Sequence, residues 1–240
     1  MKKGRKIAGV LGILLLGILA IGCGKEEETK KIESVKPEVT EQEAEIPKPE
    51  APKQETEETA YVLDGNIEVS GFGKYMGSYV EDGTDEYVEN VMKIVLENRG
   101  QTYLQSAAVT INDRYVFEIT SLFPGETVMV LEKNRSAYEE GMEITSADIE
   151  NAAIFHEAPT MCEDILKIDV EGSLFTISNV GENGFPGGKL FFKNKLKDQY
   201  LGGITYFITL PELAQGQEIQ LSSAHFQEGD SELLFVTYAE

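Results

Sequence analysis

Apolar and polar residues alternate with a period of two through most of the chain after residue 60. Five runs show this most clearly, at positions 91–97, 107–112, 115–120, 165–171 and 204–210. Successive side chains of a β-strand point to opposite faces, so such runs predict strands with one buried face. Gly, Asn, Asp or Pro separates most of the runs, as turns require. Only residues 135–153 have helical character, and Gly141 interrupts it. The pattern therefore predicts an all-β protein.

Two pairs of matching turns indicate a duplicated module. The matches are LENRG at 96–100 with ISNVG at 177–181, and LFPGETV at 122–128 with LAQGQEI at 213–219. The glycines that mark these turns are 25 residues apart in the first copy and 35 in the second, and the extra residues fall around 195–203. We therefore predict two tandem β-sandwich domains, at residues 61–157 and 158–240.

The order of these turns and strands resembles immunoglobulin-like β-sandwich modules of bacterial surface proteins, of the kind called CARDB-like or FxLYD-like. In both halves a strand ends in Asn-x-Gly, two further strands follow, and a turn leads into another strand. In the first half that turn reads Leu-x-Pro-Gly-Glu. The chain has no Trp, which excludes the Cys…Trp…Cys core of antibody domains. The resemblance implies adhesion, spacing or ligand presentation without catalysis.

The N-terminus has the three parts of a secretory signal. Four of the first six residues are basic, an apolar run extends from Ile7 to Gly22, and Cys23 follows it. The run has 16 residues, whereas a membrane-spanning helix needs about 20. The ending Leu19-Ala20-Ile21-Gly22-Cys23 resembles the lipobox of bacterial lipoproteins, with Ala20 where that family prefers Leu. The resemblance implies a signal peptide at residues 1–22 and a diacylglyceryl group on Cys23. An uncleaved, tilted membrane helix is the alternative.

Lipidation predicts an extracytoplasmic protein that is anchored to the cell membrane through Cys23, since two acyl chains hold stably. Residues 24–60 contain twelve Glu, six Lys and four Pro, and no aromatic residue. Proline interrupts helices, and this composition cannot bury enough apolar surface to fold. We therefore expect residues 23–60 to form a lipidated, disordered tether.

The chain is strongly acidic, with a net charge of −21. Removal of residues 1–22, which carry four cations, leaves about −25. Binding of DNA or RNA needs a basic face, and an acidic surface repels both. Nucleic acid is therefore excluded as a partner.

The sequence contains no recognisable catalytic or metal-binding motif. Once Cys23 carries lipid, Cys162 has no disulfide partner, and a small buried residue is its simplest interpretation. His156 and His225 lie at matching places in the two halves, without HExxH or CxxC spacing. The acidic residues 81–86 lack the spacing of a calcium loop, although weak calcium binding is an alternative to an exposed acidic loop. We predict no enzyme activity, no metal and no cofactor.

One basic and aromatic stretch is a candidate binding surface. Residues 189–197 (KLFFKNKLK) hold four of the five Lys of residues 158–240, which contain no Arg. On a strand, alternate residues of this stretch face outward, and Tyr200 and Phe207 lie close by if a hairpin forms. The predicted patch consists of Lys189, Phe191, Lys193, Lys195, Lys197 and Phe207. Its partner is an anionic cell-wall polymer, another envelope protein or the acidic first domain. The alternative is an edge strand that its lysines protect against aggregation.

These observations favour a non-catalytic envelope lipoprotein that presents two immunoglobulin-like modules for binding, adhesion or spacing, with no ligand identified. A second hypothesis is a solute-binding lipoprotein that serves a transporter, which a deep pocket between the modules would favour. A third is an envelope hydrolase, which needs a histidine within hydrogen-bond reach of a carboxylate and a hydroxyl or thiol.

Overall fold

The computed structural model describes residues 56–63 and 66–239, and the side chains of all of these except 57–60. It contains 13 β-strands and, within those ranges, no α-helix, which confirms the all-β prediction. The strands are β1 (Glu57–Val62), β2 (Ile67–Tyr79), β3 (Glu86–Asn98), β4 (Leu104–Ile111), β5 (Tyr115–Leu122), β6 (Thr127–Leu131), β7 (Ala147–Ile154), β8 (Leu166–Glu171), β9 (Leu174–Asn179), β10 (Gly188–Leu196), β11 (Gln199–Leu210), β12 (Glu218–Ser222) and β13 (Ser231–Tyr238). We call residues 56–157 the first half and residues 158–239 the second half.

The strands form one large sheet and two small ones. The large sheet has the order β1-β2-β3-β6-β11-β10-β13, and the small sheets have the orders β5-β4-β7 and β12-β9-β8. Neighbouring strands are antiparallel except β6 and β11, which run parallel through the pairs Val128–Tyr200 and Met129–Leu201. The large sheet thus takes strands from both halves. We call the place where β6 meets β11 the seam.

The two halves repeat one strand arrangement. In the first half, β2-β3-β6 stands opposite β5-β4-β7, and in the second half β8-β9-β12 stands opposite β11-β10-β13. Every strand from β2 to β7 therefore has an equivalent six strands later. The seam joins strands that are not equivalent, because the equivalent of β6 is β12.

The two Asn-x-Gly turns are held by the same hydrogen bonds. Asn98 and Asn179 are both buried, and each side-chain amide donates to two main-chain carbonyls at 2.8 and 3.0 Å. Each Oδ1 accepts the main-chain N–H of the glycine two residues later at 3.0 Å. The carbonyls belong to Thr102 and Leu122 in the first half, and to Asn183 and Leu213 in the second. These bonds fix both turns, because a buried polar group without a partner costs about 1–3 kcal/mol.

The small sheets lie on opposite faces of the large sheet. On β6, Val128 and Val130 pack in the core of the first half with residues of β4 and β5. On β11, the hydroxyl of Thr205 lies 2.8 Å from that of Thr120 on β5, whereas the next residue, Tyr206, packs in the core of the second half. Adjacent residues of a strand point to opposite faces, so β5-β4-β7 covers one face and β12-β9-β8 the other. The result is a sandwich-like fold of three layers.

Each half has its own apolar core, and a third cluster lies at the seam. The seam cluster consists of Tyr75, Tyr79, Val80, Val91, Met129 and Leu131, and Leu201 of the second half packs against it. Complete burial of a large apolar side chain contributes about 1.5–3 kcal/mol. Core burial thus stabilises a fold in which Cys162 is a free thiol.

Two strands extend beyond the sequence-based expectations. β1 begins at Glu57, inside the predicted tether, and pairs with β2. β7 occupies residues for which weak helical character was expected, because pairing with β4 outweighs local propensity. Regular structure therefore starts earlier than predicted, and Ala147–Ile154 form a strand where weak helical character was expected.

Contacts divide the chain into two units, Met1–Lys48 and Pro49–Glu240. The predicted signal peptide, Cys23 and all of the predicted tether up to residue 55 lie outside the described residues. The domain boundary at residues 157 and 158 stays a prediction. In the part of the chain that the structure describes, no helix is long and apolar enough to span a bilayer.

Candidate functional site

β10 carries most of the stretch that was predicted as a binding patch. Leu190 and Phe192 point into the core of the second half and are completely buried, whereas Lys189 and Phe191 point to the opposite face. β10 is paired on both sides, with β11 and with β13. The alternative explanation of its lysines, protection of a sheet edge, is therefore wrong.

Two rows of side chains cross β11, β10 and β13 on the face that carries Lys189. The aromatic row is Phe207, Phe191 and Phe235, and the polar row is Thr209, Lys189 and Thr237, each in strand order. Residues paired across antiparallel strands share a face of the sheet. We call these six residues the outer face.

The aromatic row continues into the first half across the seam. The ring of Phe235 lies 5.3 Å from that of Phe155 and 5.9 Å from that of Phe123, centroid to centroid. Phe123 lies 5.5 Å from Tyr103, and Phe191 stacks on Phe235 at 4.6 Å. Aromatic pairs at such distances attract each other by about 0.5–1.5 kcal/mol beyond area burial. The aromatic cluster is the set Tyr103, Phe123, Phe155, Phe191, Phe207 and Phe235.

Exposure rises along the aromatic row, away from the first half. Phe235 is 2% exposed, Phe191 is partly buried, and Phe207 is 50% exposed. The ammonium of Lys189 lies 4.3 Å from the centroid of the Phe207 ring, within the range of cation–π attraction. Among the described residues, no carboxylate lies within ion-pair distance of Lys189. Phe207 and Lys189 thus form the open end of this surface.

The equivalent face of the first half has different side chains. Its two rows are Val116, Thr110 and Asp148, and Glu118, Ala108 and Glu150, in the order β5, β4 and β7. Neither row contains an aromatic ring, and the second has two carboxylates and no lysine. Both halves fold with the same strand arrangement, so the fold does not require aromatic residues at these positions. The outer face is therefore the candidate binding site.

Lys193, which was predicted to be exposed, is completely buried. It lies on the same side of β10 as the aromatic row, but the first half covers that part of the strand. Its ammonium donates to the carbonyls of Gly202 and Gly203 at 3.4 and 3.5 Å, and it faces Glu81 and Glu126 of the first half. Burial lowers the pKa of Lys193 to about 8, and the two carboxylates oppose this shift. The prediction that Lys193 is exposed is thus wrong.

The remaining lysines of the predicted patch do not join the outer face. Lys195 forms an ion pair with Glu232 of β13, and its ammonium lies 5.2 Å from the centroid of the Tyr200 ring. Lys197 is exposed in the turn between β10 and β11, with a left-handed backbone conformation at φ 60°. Of the six predicted residues, Lys189, Phe191 and Phe207 make up the open surface.

Glu81 joins the two halves at the seam. It follows β2, and its carboxylate accepts the N–H of Leu131 on β6 at 2.8 Å and the N–H of Gly203 on β11 at 2.9 Å. Burial raises the pKa of Glu81 to about 7, and these hydrogen bonds together with Lys193 oppose the shift. One carboxylate thus clamps the two strands that meet at the seam.

Two glycines allow β11 to approach the first half closely. A Cβ atom at Gly203 would lie 1.6 Å from the carbonyl oxygen of Glu118 on β5. Gly202 has a φ of +84°, and the side chain of Val80 occupies the space where a Cβ atom of residue 202 would lie. The hydroxyl of Thr120 donates to the carbonyl of Gly203 at 2.6 Å. These glycines belong to the extra residues of the second hairpin, so the additional length of that hairpin builds the seam.

The acidic residues of the predicted loop 81–86 contact different parts of the protein. One carboxylate enters the seam, Asp82 and Glu86 each pair with Arg135 at 2.6 Å, and Asp85 lies 3.4 Å from the Nδ1 atom of His225. Within the described ranges, no group of three or more His, Cys, Asp or Glu side chains could hold a metal ion. The loop therefore acts as a connection to neighbouring elements.

The two histidines and the free cysteine do not form a catalytic group in the structure. The ring of His225 stacks on that of Tyr206 at 4.7 Å, and His156 is exposed. Cys162 is buried, with its sulfur 3.8 Å from the hydroxyl of Thr160. Covalent catalysis needs a nucleophile paired with a base. These contacts of His225 and Cys162 do not form such a pair.

A small pocket of about 220 Å³ opens at the seam. Thr120 of β5, Leu131 of β6 and Gly203 of β11 all line it, together with the carboxylate of Glu81. Pockets for small ligands usually have about 300–1,000 Å³. This pocket is therefore smaller than the deep site that a solute-binding protein was expected to show.

Compared with protein-family models, with curated proteins and with solved structures, the chain has no match. Its function has to be inferred from the outer face and the seam.

The sequence-based prediction missed the first-half side of the aromatic cluster. Phe123 lies in a turn where the matching turn of the second copy has Ala214. A large aromatic residue at a turn position that the repeat does not require was the available signal. Phe235 gave no such signal, because it lies in an apolar run and only the pairing of β13 with β10 places it in the row.

Proposed function

We propose that the protein is a non-catalytic, lipid-anchored binding protein of the bacterial cell envelope. Its binding surface is the outer face of the second half together with the open part of the aromatic cluster. Lipid on Cys23 and the acidic tether hold this surface at a distance from the membrane. The two halves are immunoglobulin-like modules, a proposal supported by the two packed sheets that each half contributes.

The contrast between equivalent faces carries this proposal. Phe207, with half of its surface exposed, occupies the position of Val116 in the first half, and Phe191 occupies that of Thr110. An exposed apolar surface that the fold does not need is typical of an interaction site. Aromatic side chains also supply much of the free energy of association in protein interfaces.

Binding can be tested by sedimentation of the purified protein, kept in detergent, with the insoluble envelope fraction of a bacterium that produces it. Phe207→Ala should reduce the co-sedimenting fraction at least 10-fold at limiting protein, because the most exposed ring of the site is lost. Tyr87→Ala is the matched control, since Tyr87 is 60% exposed on β3, away from the outer face. Equal sedimentation of both variants and the unmodified protein would refute the proposed surface.

The anchor requires a separate test. Metabolic labelling with palmitate should label the unmodified protein, and Cys23→Ala should abolish the label and release the protein from the membrane fraction. A Cys23→Ala protein that still takes up palmitate would overturn the anchor while leaving the binding surface standing.

A second candidate function is the binding of a small solute in the seam pocket, where Glu81, Thr120 and Lys133 all line one space. Native mass spectrometry of protein purified from its own envelope should then show a bound small molecule that Thr120→Val removes. Protein without such an adduct would exclude this candidate.

A further inference from the structure

We propose that the ligand of the outer face is a linear glycan that carries carboxylate groups, with one sugar ring packed on Phe207, the next on the exposed part of Phe191, and a carboxylate held by Lys189. This inference rests on the proposed function and names the ligand of the same surface.

Recognition at the outer face depends on side chains alone. The main-chain groups of β10 are paired with β11 and β13, so they are occupied within the sheet. A peptide that binds by adding a strand needs an unpaired sheet edge, and the centre of this face offers none. A sugar ring has an apolar C–H face and polar edges. The aromatic row can pack against the C–H face, and the polar row can form hydrogen bonds with the hydroxyl groups at the edges.

The two rows have the geometry to hold a linear chain. They run across the strands, and neighbouring strands are about 4.8 Å apart, so each row extends over about 10 Å. A glycan lying along the aromatic row places one sugar ring on Phe207 and the next on the exposed part of Phe191, because a face of the Phe191 ring is stacked on Phe235 at 4.6 Å. Its hydroxyl groups then lie along the polar row, where Thr209 and Thr237 flank Lys189.

Charge complementarity favours a glycan with carboxylates. Lys189 is a cation without a carboxylate partner among the described residues, and it lies beside the most exposed ring. The equivalent row of the first half has no lysine; it has Glu150 and Glu118, and Glu118 forms an ion pair with Lys133. At physiological salt, exposed charges are screened beyond about 8 Å, so a carboxylate beside Lys189 interacts mainly with the charges within that distance.

The first half closes one end of the site. Phe155 and Phe123 pack on Phe235 and cover it, whereas Phe207 at the other end of the row is open. The glycan therefore enters from the side of Phe207, and the first half limits how far it extends. The seam fixes this wall in place, so the site is complete only when both halves are joined.

Calorimetric titration of the full mature protein with a panel of linear oligosaccharides tests this inference. Oligogalacturonate represents the carboxylated chains and the hexamer of N-acetylglucosamine the neutral ones. The best carboxylated chain should bind at least 10-fold more tightly than the neutral hexamer, and Phe207→Ala should weaken the binding of both at least 10-fold. Lys189→Gln should abolish the preference for the carboxylated chain, whereas Lys197→Gln, which removes an exposed lysine in the nearby turn, should retain it.

The outcomes separate this inference from the proposed function. If no member of the panel binds folded protein, or if the preference survives in Lys189→Gln, the inference is overturned. Sedimentation with the envelope that still depends on Phe207 would then show that the surface binds another kind of partner. If Phe207→Ala changes neither glycan binding nor sedimentation, both proposals fail.

Discussion

The outer face of the second half and the equivalent face of the first half share a framework and differ in chemistry. The inward positions of the two strands agree, since Leu190 and Phe192 of β10 correspond to Val109 and Ile111 of β4, and all four are completely buried. The outward positions differ, with aromatic residues and a lysine in one half and small or acidic residues in the other. Inward residues follow from the fold, whereas outward residues are free to serve a ligand.

The hairpins of the two halves also differ, in length. β4 and β5 are joined by a short turn, while β10 and β11 extend further and bring Tyr200 and Leu201 alongside β6. The extension carries the two glycines that approach the first half. A few residues added at the tip of one hairpin therefore create the seam and leave the repeated strand arrangement intact.

The largest expected effect tests the longer hairpin. Gly203→Val should lower the free energy of unfolding by about 3–5 kcal/mol, because its Cβ atom would overlap the carbonyl oxygen of Glu118. Urea unfolding followed by circular dichroism measures this change. Gly184→Ala is the control, since its Cβ atom would lie 3.6 Å from the carbonyl oxygen of Leu213, an ordinary contact, and it should change stability by about 0.5 kcal/mol or less. Similar stability of the two variants would show that the seam is open in solution.

The next effect tests whether the two halves are equivalent. Asn98→Ala and Asn179→Ala should each lower the free energy of unfolding by about 2–4 kcal/mol, because each removes three hydrogen bonds made by a buried amide. Scanning calorimetry should show one transition that both substitutions shift to lower temperature by similar amounts. Two transitions, each moved by only one of the substitutions, would mean that the halves unfold independently.

A smaller effect concerns the buried charges at the seam. The pKa of Glu81 is raised from about 4.5 to about 7, so the folded protein binds more protons between these values and its stability increases as the pH falls from 7 to 4.5. The pKa of Lys193 is lowered from about 10.5 to about 8, so stability increases as the pH rises from 8 to 10.5. The free energy of unfolding should therefore have a minimum between pH 7 and 8, about 2–3 kcal/mol deep.

Urea titrations at pH 5 to 10 measure this profile. Glu81→Gln should reduce the slope on the acidic side, and Lys193→Met should reduce the slope on the alkaline side, where buried Lys93, whose pKa is also lowered to about 8, retains part of it. A stability maximum between pH 7 and 8 in the unmodified protein would contradict the assignment.

The smallest effect is expected at the open end of the outer face. Phe207→Ala should lower the free energy of unfolding by only about 1 kcal/mol, because the half-exposed ring makes one aromatic pair with Phe191 and one cation–π contact with Lys189. Thermal unfolding of this variant beside Tyr87→Ala measures the difference. A loss of several kcal/mol would mean that Phe207 is needed for folding. The difference between Phe207 and Val116 would then no longer support a binding role.

Features that depend on spacing within one strand or turn could be predicted from the sequence. The all-β class and the alternation along β10 follow from the period of two. The burial of Lys193 could not be predicted, because it depends on the first half covering β10 from a distance of many residues in sequence. The same holds for Phe123 and Phe155, which meet Phe235 only through the packing of one half on the other.

The pairing of β6 with β11 has a consequence for the growth of such proteins. The equivalent of β6 in the second half is β12, which lies at an edge of its sheet. A contact between non-equivalent surfaces leaves one copy of each surface unused unless the copies close into a ring. A further copy of the module could lay its long hairpin beside β12 by the same contact. β12 is thus the strand at which the number of copies would increase, because the contact that joins the two halves would be repeated there without a new type of interface.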